Sequence, residues 1–218
     1  MRPERNQIRV VLFDVGGVLV ELSGLAMLLS WLGHRVTAEQ VRTLWLTSPV
    51  VRLFETGKIQ PAVFAEQMIA QLSLRVSSEE FLSELYIRSQ RILPGAVELV
   101  RRVPPGYVRA TLCNTNALQW PTLMEQQDLI RAFDHHFASH LTGKIKPDEE
   151  AFQHVLATLD CEGPETLFLD DSQLNVAAAK RVGMIAYQVQ GPEDAERALR
   201  DAEVLPAWRA RESRAGQY

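Results

Sequence analysis

The chain has little with which to crosslink, anchor or positively charge itself. Among its 218 residues are only two cysteines, Cys113 and Cys161, too few for a disulfide framework and in keeping with a reducing cytoplasm. No stretch reaches the roughly 18 apolar residues that a membrane span needs. The N-terminal apolar run, residues 8–13, is cut short by Asp14 before it can serve as the core of a secretory signal. Positive charge is in deficit: 23 Lys and Arg face 27 Asp and Glu, a net charge of −4, which argues against a general nucleic-acid binder. Internal repeats and low-complexity tracts are missing too. What remains is 46% hydrophobic and 23% charged, the composition of an ordinary globular protein of one or two domains. The expectation is a cytoplasmic protein with neither membrane nor nucleic acid as partner.

Short runs rich in Val, Ile, Leu and Phe stop abruptly at polar or glycine-rich segments. Residues 8–13 end at Asp14-Val15-Gly16-Gly17, residues 107–113 at Asn114 and residues 166–169 at Asp170, and a weaker run covers 184–189. Each reads as a buried strand entering a loop. Helical patterns lie between them at 95–103, 117–127, 148–159 and 172–182. The last is placed to start at a Ser172 cap and to stop at Gly183 in a left-handed turn. This alternation predicts an α/β fold, a parallel sheet flanked by helices with right-handed crossovers. Ligands of such sheets bind beyond the carboxyl ends of the strands, which is where Asp14, Cys113-Asn114 and Asp170-Asp171 fall.

Residues 21–92 follow a different pattern. Leu25, Leu28, Leu29 and Leu32 mark one helical face, and Val63, Phe64, Gln67, Met68 and Leu72 another. Further helical patterns cover 37–46 and 77–91, with breakers at Gly33, Pro49, Gly57 and Pro61. The segment predicts an α-helical bundle inserted straight after the first strand. The expected division is a discontinuous core of 1–20 and 93–205, a helical cap of 21–92 and a polar tail of 206–218. Seven basic and seven acidic residues leave the insert neutral, so it suits a small ligand and offers no basic stripe to a polymer.

Four pieces carry chemistry: Asp14-Val15-Gly16-Gly17, Cys113-Asn114-Thr115-Asn116, Lys146-Pro147, and Asp170-Asp171-Ser172 with Asn175. Carboxylates gathered at strand ends can hold a hard cation such as Mg²⁺. A carboxylate can also attack phosphorus and form an aspartyl phosphate. Attack of one anion on another needs positive charge nearby, which Lys146 and a metal would supply. The N–H groups around Gly16 and Gly17 can hold phosphoryl oxygens. Taken singly, each piece has an ordinary explanation. Asp14 can be a turn residue, Lys146-Pro147 a solvated loop, and Asp170-Asp171-Ser172 a helix cap.

In their order and placement these pieces resemble the haloacid dehalogenase-like (HAD) hydrolases, over nearly the whole chain to about residue 189. Phe13-Asp14-Val15-Gly16-Gly17-Val18-Leu19 is similar to the family's first motif, Leu112-Cys113-Asn114 to the second, Lys146-Pro147 to the third and Leu169-Asp170-Asp171 to the fourth. An insert after the first motif resembles the helical-bundle cap of one branch. The resemblance implies a Rossmann-like core, a Mg²⁺ ion and a nucleophilic Asp14. It implies Asp171 as the main acidic metal ligand with Asp170 beside it, the Gly16 carbonyl as a further ligand, and Lys146 as the group steadying nucleophile and phosphate. Gly16, Gly17, Cys113 and Asn114 fall on its substrate-binding segments.

Two positions depart from the family pattern. Gly16 stands where a second Asp normally serves as general acid and base, a role worth about 10²–10⁴-fold. Cys113 replaces a Ser or Thr, and a thiol is the poorer donor. The Asp-x-Gly-[Asn/Gly]-Val form and Phe54-Glu55-Thr56-Gly57-Lys58-Ile59 are similar to sugar-phosphatase branches, α-glucose-1-phosphate phosphatases among them. The reading is therefore a Mg²⁺-dependent phosphatase for a small phosphomonoester such as a sugar phosphate. Two alternatives stay open. One is a metal-independent 2-haloacid dehalogenase, for which Arg35, Arg42 and Arg52 are the nearby candidates for a cap arginine. The other is a catalytically weak protein that binds a phosphorylated metabolite or a partner. His135, His136 and His140 suggest zinc but lack a fourth ligand and read as structural. Cys113 reads as a small buried replacement rather than a reactive thiol, and Trp45, Trp120 and Arg52 as packing or surface residues.

Overall fold

The computed structural model describes residues 7–207, apart from 22, 34, 35, 85–90 and 126. In chain order the elements are β1 (Val10–Phe13), α1 (Ser23–Trp31), α2 (Ala38–Thr47), α3 (Pro49–Glu55), α4 (Pro61–Leu72), α5 (Ser78–Leu82), α6 (Ala96–Arg102), β2 (Val108–Cys113), α7 (Gln119–Glu125), α8 (Gln127–Ile130), β3 (His135–Ala138), α9 (Ser139–Thr142), α10 (Glu149–Thr158), β4 (Thr166–Asp170), α11 (Gln173–Arg181), β5 (Ile185–Gln188) and α12 (Gly191–Asp201).

The five strands form one parallel sheet in the order β3-β2-β1-β4-β5. β1 is central, with Val10 paired to Val108 on one side and Thr166 on the other. Successive residues of a strand face opposite sides of the sheet, and this alternation divides the core in two. Val11, Phe13, Leu167 and Leu169 face a layer closed by α6, α8 and α12 through Leu99, Leu129 and Leu199. Leu12, Phe168, Ala110 and Leu112 face a layer closed by α10 and α11 through Phe152, Val155 and Val176. The fold is thus α/β with helices on both faces. Strand order reverses at β1, so the crevice beyond the ends of β1 and β4 is the place such sheets offer to ligands.

The helices α1–α5 all lie between β1 and β2 and bury their own apolar faces together. Phe54 stacks on Phe64 at 4.2 Å between centroids, and Phe81 packs against both Phe64 and Trp31. Thr37 and Gln40 form a reciprocal capping box at the start of α2, while Pro49 and Pro61 occupy the first turns of α3 and α4. The bundle joins the sheet through a narrow stem. Its entering and leaving segments run side by side, with Glu21 N donating to Arg91 O and Leu93 N to Leu19 O, both at 2.9 Å.

Three local expectations need correction. The helix expected over 117–127 starts only at Gln119, because Asn116 Oδ1 accepts the N–H groups of Leu118 and Gln119 at 3.0 and 3.1 Å; α7 and α8 then share the segment. Ser172 occupies the position before α11 but makes no side-chain cap bond, and Asp170 Oδ1 instead accepts Ser172 N at 2.8 Å. The short helix α3, between Pro49 and Gly57, was not among the predicted elements. Gly183 does take the left-handed conformation, at φ 89°. The side chain of Leu25, His34, Arg35, residues 85–90 of the helix expected over 77–91 and the tail beyond residue 207 lie outside the described residues. No helix among the described residues is long and apolar enough to cross a membrane.

Glu196 of α12 ties that helix to α6. It accepts two bonds from Arg102 at 2.8 and 2.9 Å and further ones from Arg200. The Arg102 bonds, with Arg200 adding to them, hold its carboxyl at about 2, below its ordinary 4.5. A depressed carboxylate contributes stability above its unfolded pKa and loses it as pH falls through the folded value. Glu196→Gln is therefore expected to cost about 1 kcal/mol at neutral pH. The gap to the parent should close as pH falls from 4.5 towards about 2. Urea unfolding of both proteins across that range tests this, and a gap that persists at the acid end contradicts it.

Candidate active site

The ends of β1, β2 and β4 bring Asp14, Asn114, Asp170 and Asp171 to the switch crevice, and the loop after α9 delivers Lys146. Backbone pairing fixes the first of these, since Asp14 N donates to Leu169 O at 2.8 Å as an extension of the β1–β4 ladder. Lys146 Nζ donates to Asp14 Oδ1 and to Asp170 Oδ2, each at 2.7 Å, and all three side chains are buried. Nζ also lies 5.6 Å from the centroid of the Phe168 ring. Asn114 positions the lysine backbone from both sides. Its Nδ2 donates to Lys146 O at 2.9 Å and its Oδ1 accepts Lys146 N at 3.0 Å. Asp170 is held in turn by Ser172 N at 2.8 Å and by Asn175 Nδ2 at 3.0 Å.

Gly17 completes the constellation. It has φ +74°, and a Cβ built on it would lie 2.4 Å from Asp171 Oδ2. Glycine is required there both by the backbone conformation and by the approach of the carboxylate. Gly16, Cys113 and Asn114 line the adjoining cavity with Asp14, Lys146 and Asp171. The Cys113 thiol is spent on a weak bond to Asn114 O at 3.6 Å, and burial, with the Asp14 charge adding to it, pushes its pKa up. It is not a thiolate nucleophile.

Charge in this site does not balance. Three carboxylates, Asp14, Asp170 and Asp171, offer oxygen atoms within 4.8 Å of one another, and Lys146 supplies one positive charge among them. Burial, then the charges of Asp170 and Asp171, push the Asp14 carboxyl up against the pull of Lys146. Burial and Asp170 push Asp171 up as well, opposed by Lys146 and Arg42. Lys146 is raised, because Asp14 and Asp170 outweigh the burial that would lower it. Asn175 Oδ1 is buried with no hydrogen-bond partner among the described residues. A surplus of anionic oxygen and an orphaned acceptor fit a hard divalent cation better than they fit the protein alone.

The cavity has a volume of about 390 Å³. The core contributes Val15, Val20 and Leu123 besides the polar cluster, and the inserted bundle contributes Leu28, Val41, Arg42, Trp45, Leu46 and Glu55. Trp45, expected as packing, lines the cavity, and its Nε1 donates to Glu55 Oε1 at 3.1 Å. Arg42 faces the cavity, whereas Arg52 pairs with Asp148 (3.1 Å for Nη1 to Oδ1). Trp120 packs instead on His136 and His140. His136 Nδ1 lies 3.1 Å from Thr111 Oγ1, and among the described residues the histidines join no metal-capable cluster of three.

Glu55 was not among the residues predicted from the sequence. Its signal there was the segment Phe54-Glu55-Thr56-Gly57-Lys58-Ile59, similar to the sugar-phosphatase branches, within which Glu55 was given no role of its own. Burial pushes its carboxyl up to about 7, against the Trp45 bond and the charge of Lys146.

Comparison with known proteins agrees with this geometry. Residues 8–183 match the haloacid dehalogenase-like hydrolase family, and the chain belongs to that family of hydrolases. It is 31% identical over 184 residues to the sesquiterpene phosphatase AstK of Aspergillus oryzae, covering 83% of this chain and 89% of that protein. A HAD family enzyme from Bacteroides thetaiotaomicron, solved in complex with magnesium and inorganic phosphate, superposes with a TM-score of 0.64. It is 23% identical, over 84% of this chain and 94% of that one. The L-2-haloacid dehalogenase from Xanthobacter autotrophicus superposes with a TM-score of 0.61 at 20% identity, over 84% and 77% of the two chains. At those identities both structures establish the fold alone.

The Asn114 clamp makes its own prediction. Asn114→Ala removes two part-buried bonds and leaves Lys146 backbone groups unpaired, for an expected loss of about 1–3 kcal/mol. Denaturant unfolding measures it, and a change below a few tenths would show that the clamp is not needed.

Proposed function

We propose that the protein is a Mg²⁺-dependent phosphatase that hydrolyses a small phosphomonoester through an aspartyl phosphate on Asp14. The observation that carries this reading is the excess of carboxylate around buried Lys146 in the cavity between the sheet and the inserted bundle. Asp14, the Gly16 carbonyl and Asp171, with Asp170 beside them, would hold the ion, which when bound neutralises the carboxylates and the phosphoryl oxygens. Asp14 is the nucleophile. Lys146 fixes its Oδ1 and offers positive charge where the phosphoryl group must approach. Asp170, held by Ser172 N and Asn175, keeps Lys146 in place rather than attacking. The N–H groups of Val15 and Gly16 bind phosphoryl oxygens, Gly17 N being already donated to Val20 O at 2.8 Å, and the inserted bundle acts as a cap that excludes water and selects the alcohol. With both cysteines unpaired, we place this activity in the cytoplasm.

For the alcohol we favour an apolar group over a sugar. Leu28, Val41, Trp45 and Leu46 of the bundle line the cavity together with Val15, Val20 and Leu123 of the core, a volume and apolar share of lining suited to a branched hydrocarbon. The activity named for the AstK relative points the same way.

Phosphate release from prenyl phosphates, sugar phosphates, nucleotides and an activated aryl phosphate tests both parts. Turnover is expected with Mg²⁺, to disappear with EDTA and to fall at least about 10³-fold in Asp14→Asn. Prenyl phosphates should lead the panel; a sugar phosphate in first place would overturn the substrate class alone. No release from any member, with halide release from 2-haloacids unaffected by EDTA, would replace the phosphatase reading with a dehalogenase. A second measurement needs no substrate. Mg²⁺ should raise the Tm of the parent protein and leave that of Asp171→Asn unchanged, as expected for a ligand bound only by the native state.

A further inference from the structure

We propose that Glu55, carried into the cavity by α3 of the inserted bundle, is the proton donor and acceptor of the reaction, the part for which Gly16 has no side chain. The inference rests on the phosphatase reading of Asp14. Its geometry starts from the docking of α3, which is pinned to the core at three places around the site. Arg52 pairs with Asp148, two residues after Lys146. Ser139 Oγ donates to the Glu55 carbonyl oxygen at 2.6 Å and accepts Thr115 N at 2.9 Å, joining the end of α3 to the segment that follows Cys113-Asn114. Gly57 then passes so close to His140 that a Cβ would lie 3.0 Å from the His140 carbonyl oxygen.

These anchors hold the Glu55 side chain in the same cavity as Asp14, Gly16 and Lys146. The side chain is buried, and its Oε1 takes the Trp45 indole N–H at 3.1 Å, while no described residue bonds Oε2. One oxygen is thereby oriented and the other is available for proton exchange. The charged and titratable groups that share its cavity are Lys146, Asp14, Asp171 and Cys113 from the core, Glu21 from the stem, and Arg42 and Glu39 from α2, with His140 beside the end of α3. Burial outweighs the favourable charge of Lys146 and lifts the carboxyl to about 7, the range in which a group can both give and take a proton at neutral pH.

The chemistry balances with Glu55 in this role. In the first half, Asp14 Oδ forms a bond to phosphorus as the bond from phosphorus to the alcohol oxygen breaks. The Glu55 proton passes to that oxygen, leaving the alcohol, the aspartyl phosphate and a Glu55 carboxylate. In the second half, Glu55 takes a proton from water as the water oxygen bonds to phosphorus and the bond to Asp14 breaks. Monohydrogen phosphate leaves, and both carboxyl groups return to their starting forms.

Glu55→Gln preserves shape and can still accept from Trp45, so it separates proton transfer from packing. With an alkyl phosphate, whose leaving group needs a proton, kcat should fall by about 10²–10⁴-fold. With an activated aryl phosphate the first half needs no acid, so the variant should release about one equivalent of phenol per enzyme in a burst and then turn over slowly. The alkaline limb of kcat/KM for the alkyl phosphate, expected above about pH 7 in the parent, should vanish in the variant. Glu55→Asp, which keeps the carboxyl, should restore part of the alkyl activity. Near-full alkyl activity in Glu55→Gln with an unchanged pH profile would overturn the proposal. So would equal losses on both substrates with no burst, the pattern of a positioning residue. Mg²⁺-dependent phenol release by the parent that is absent in Asp14→Asn upholds the phosphatase reading whichever way Glu55 falls.

Discussion

Everything at the site is arranged about one buried ammonium group. Lys146 Nζ sits 2.7 Å from both Asp14 and Asp170, at the point where the ends of β1 and β4 converge. Burying a charge of this kind is costly unless its partners are close and themselves held, and the surrounding structure is organised to meet that condition. Asn114 grips the lysine backbone from the end of β2, Asp170 is gripped by Ser172 N and Asn175, and Asp14 is registered by the last rung of the β1–β4 ladder. Each of these groups comes from a different element of the sheet. The site is therefore a property of the whole parallel arrangement and could not be assembled by any one loop.

The same ion pair explains why the cluster is poised for a cation. One lysine cannot neutralise three carboxylates, and Asp14 and Asp171 are both pushed towards protonation by burial and by Asp170. Lysine takes part of the anionic charge permanently, leaving a remainder for a group that comes and goes. That division suits the proposed chemistry, in which a phosphoryl group, itself anionic, enters without being expelled.

Much of this was legible in the sequence because strands of a parallel sheet are short, apolar and ended by the residues that matter. Val10–Phe13, followed by Asp14 and two glycines, announces both a central strand and its functional end. Residues 166–169, followed by two aspartates, do the same for β4. Asn114 was recognised by position, but its bonds to the Lys146 backbone lie across 32 residues of sequence and leave no local pattern. Glu55 was harder still. The helix that carries it spans only Pro49–Glu55, too short for periodicity to register, and its burial depends on Trp45 from a different helix. Ser172 shows the opposite error: its identity suits a cap, yet Asp170, two residues earlier, performs the local bonding and also belongs to the site.

The stem of the inserted bundle has a consequence for what the sheet can carry. Residues 19–21 and 91–93 leave and re-enter the core as hydrogen-bonded neighbours, so the ends of the insertion are already closed whatever lies between them. The entropy of closing a loop grows only logarithmically with its length, about 0.6 kcal/mol per doubling. The sheet is thus nearly indifferent to the size of the bundle, and the five strands with their charged centre can stay constant while the chamber above them is rebuilt. The chamber and its supporting framework are in this way two separable inheritances of one chain.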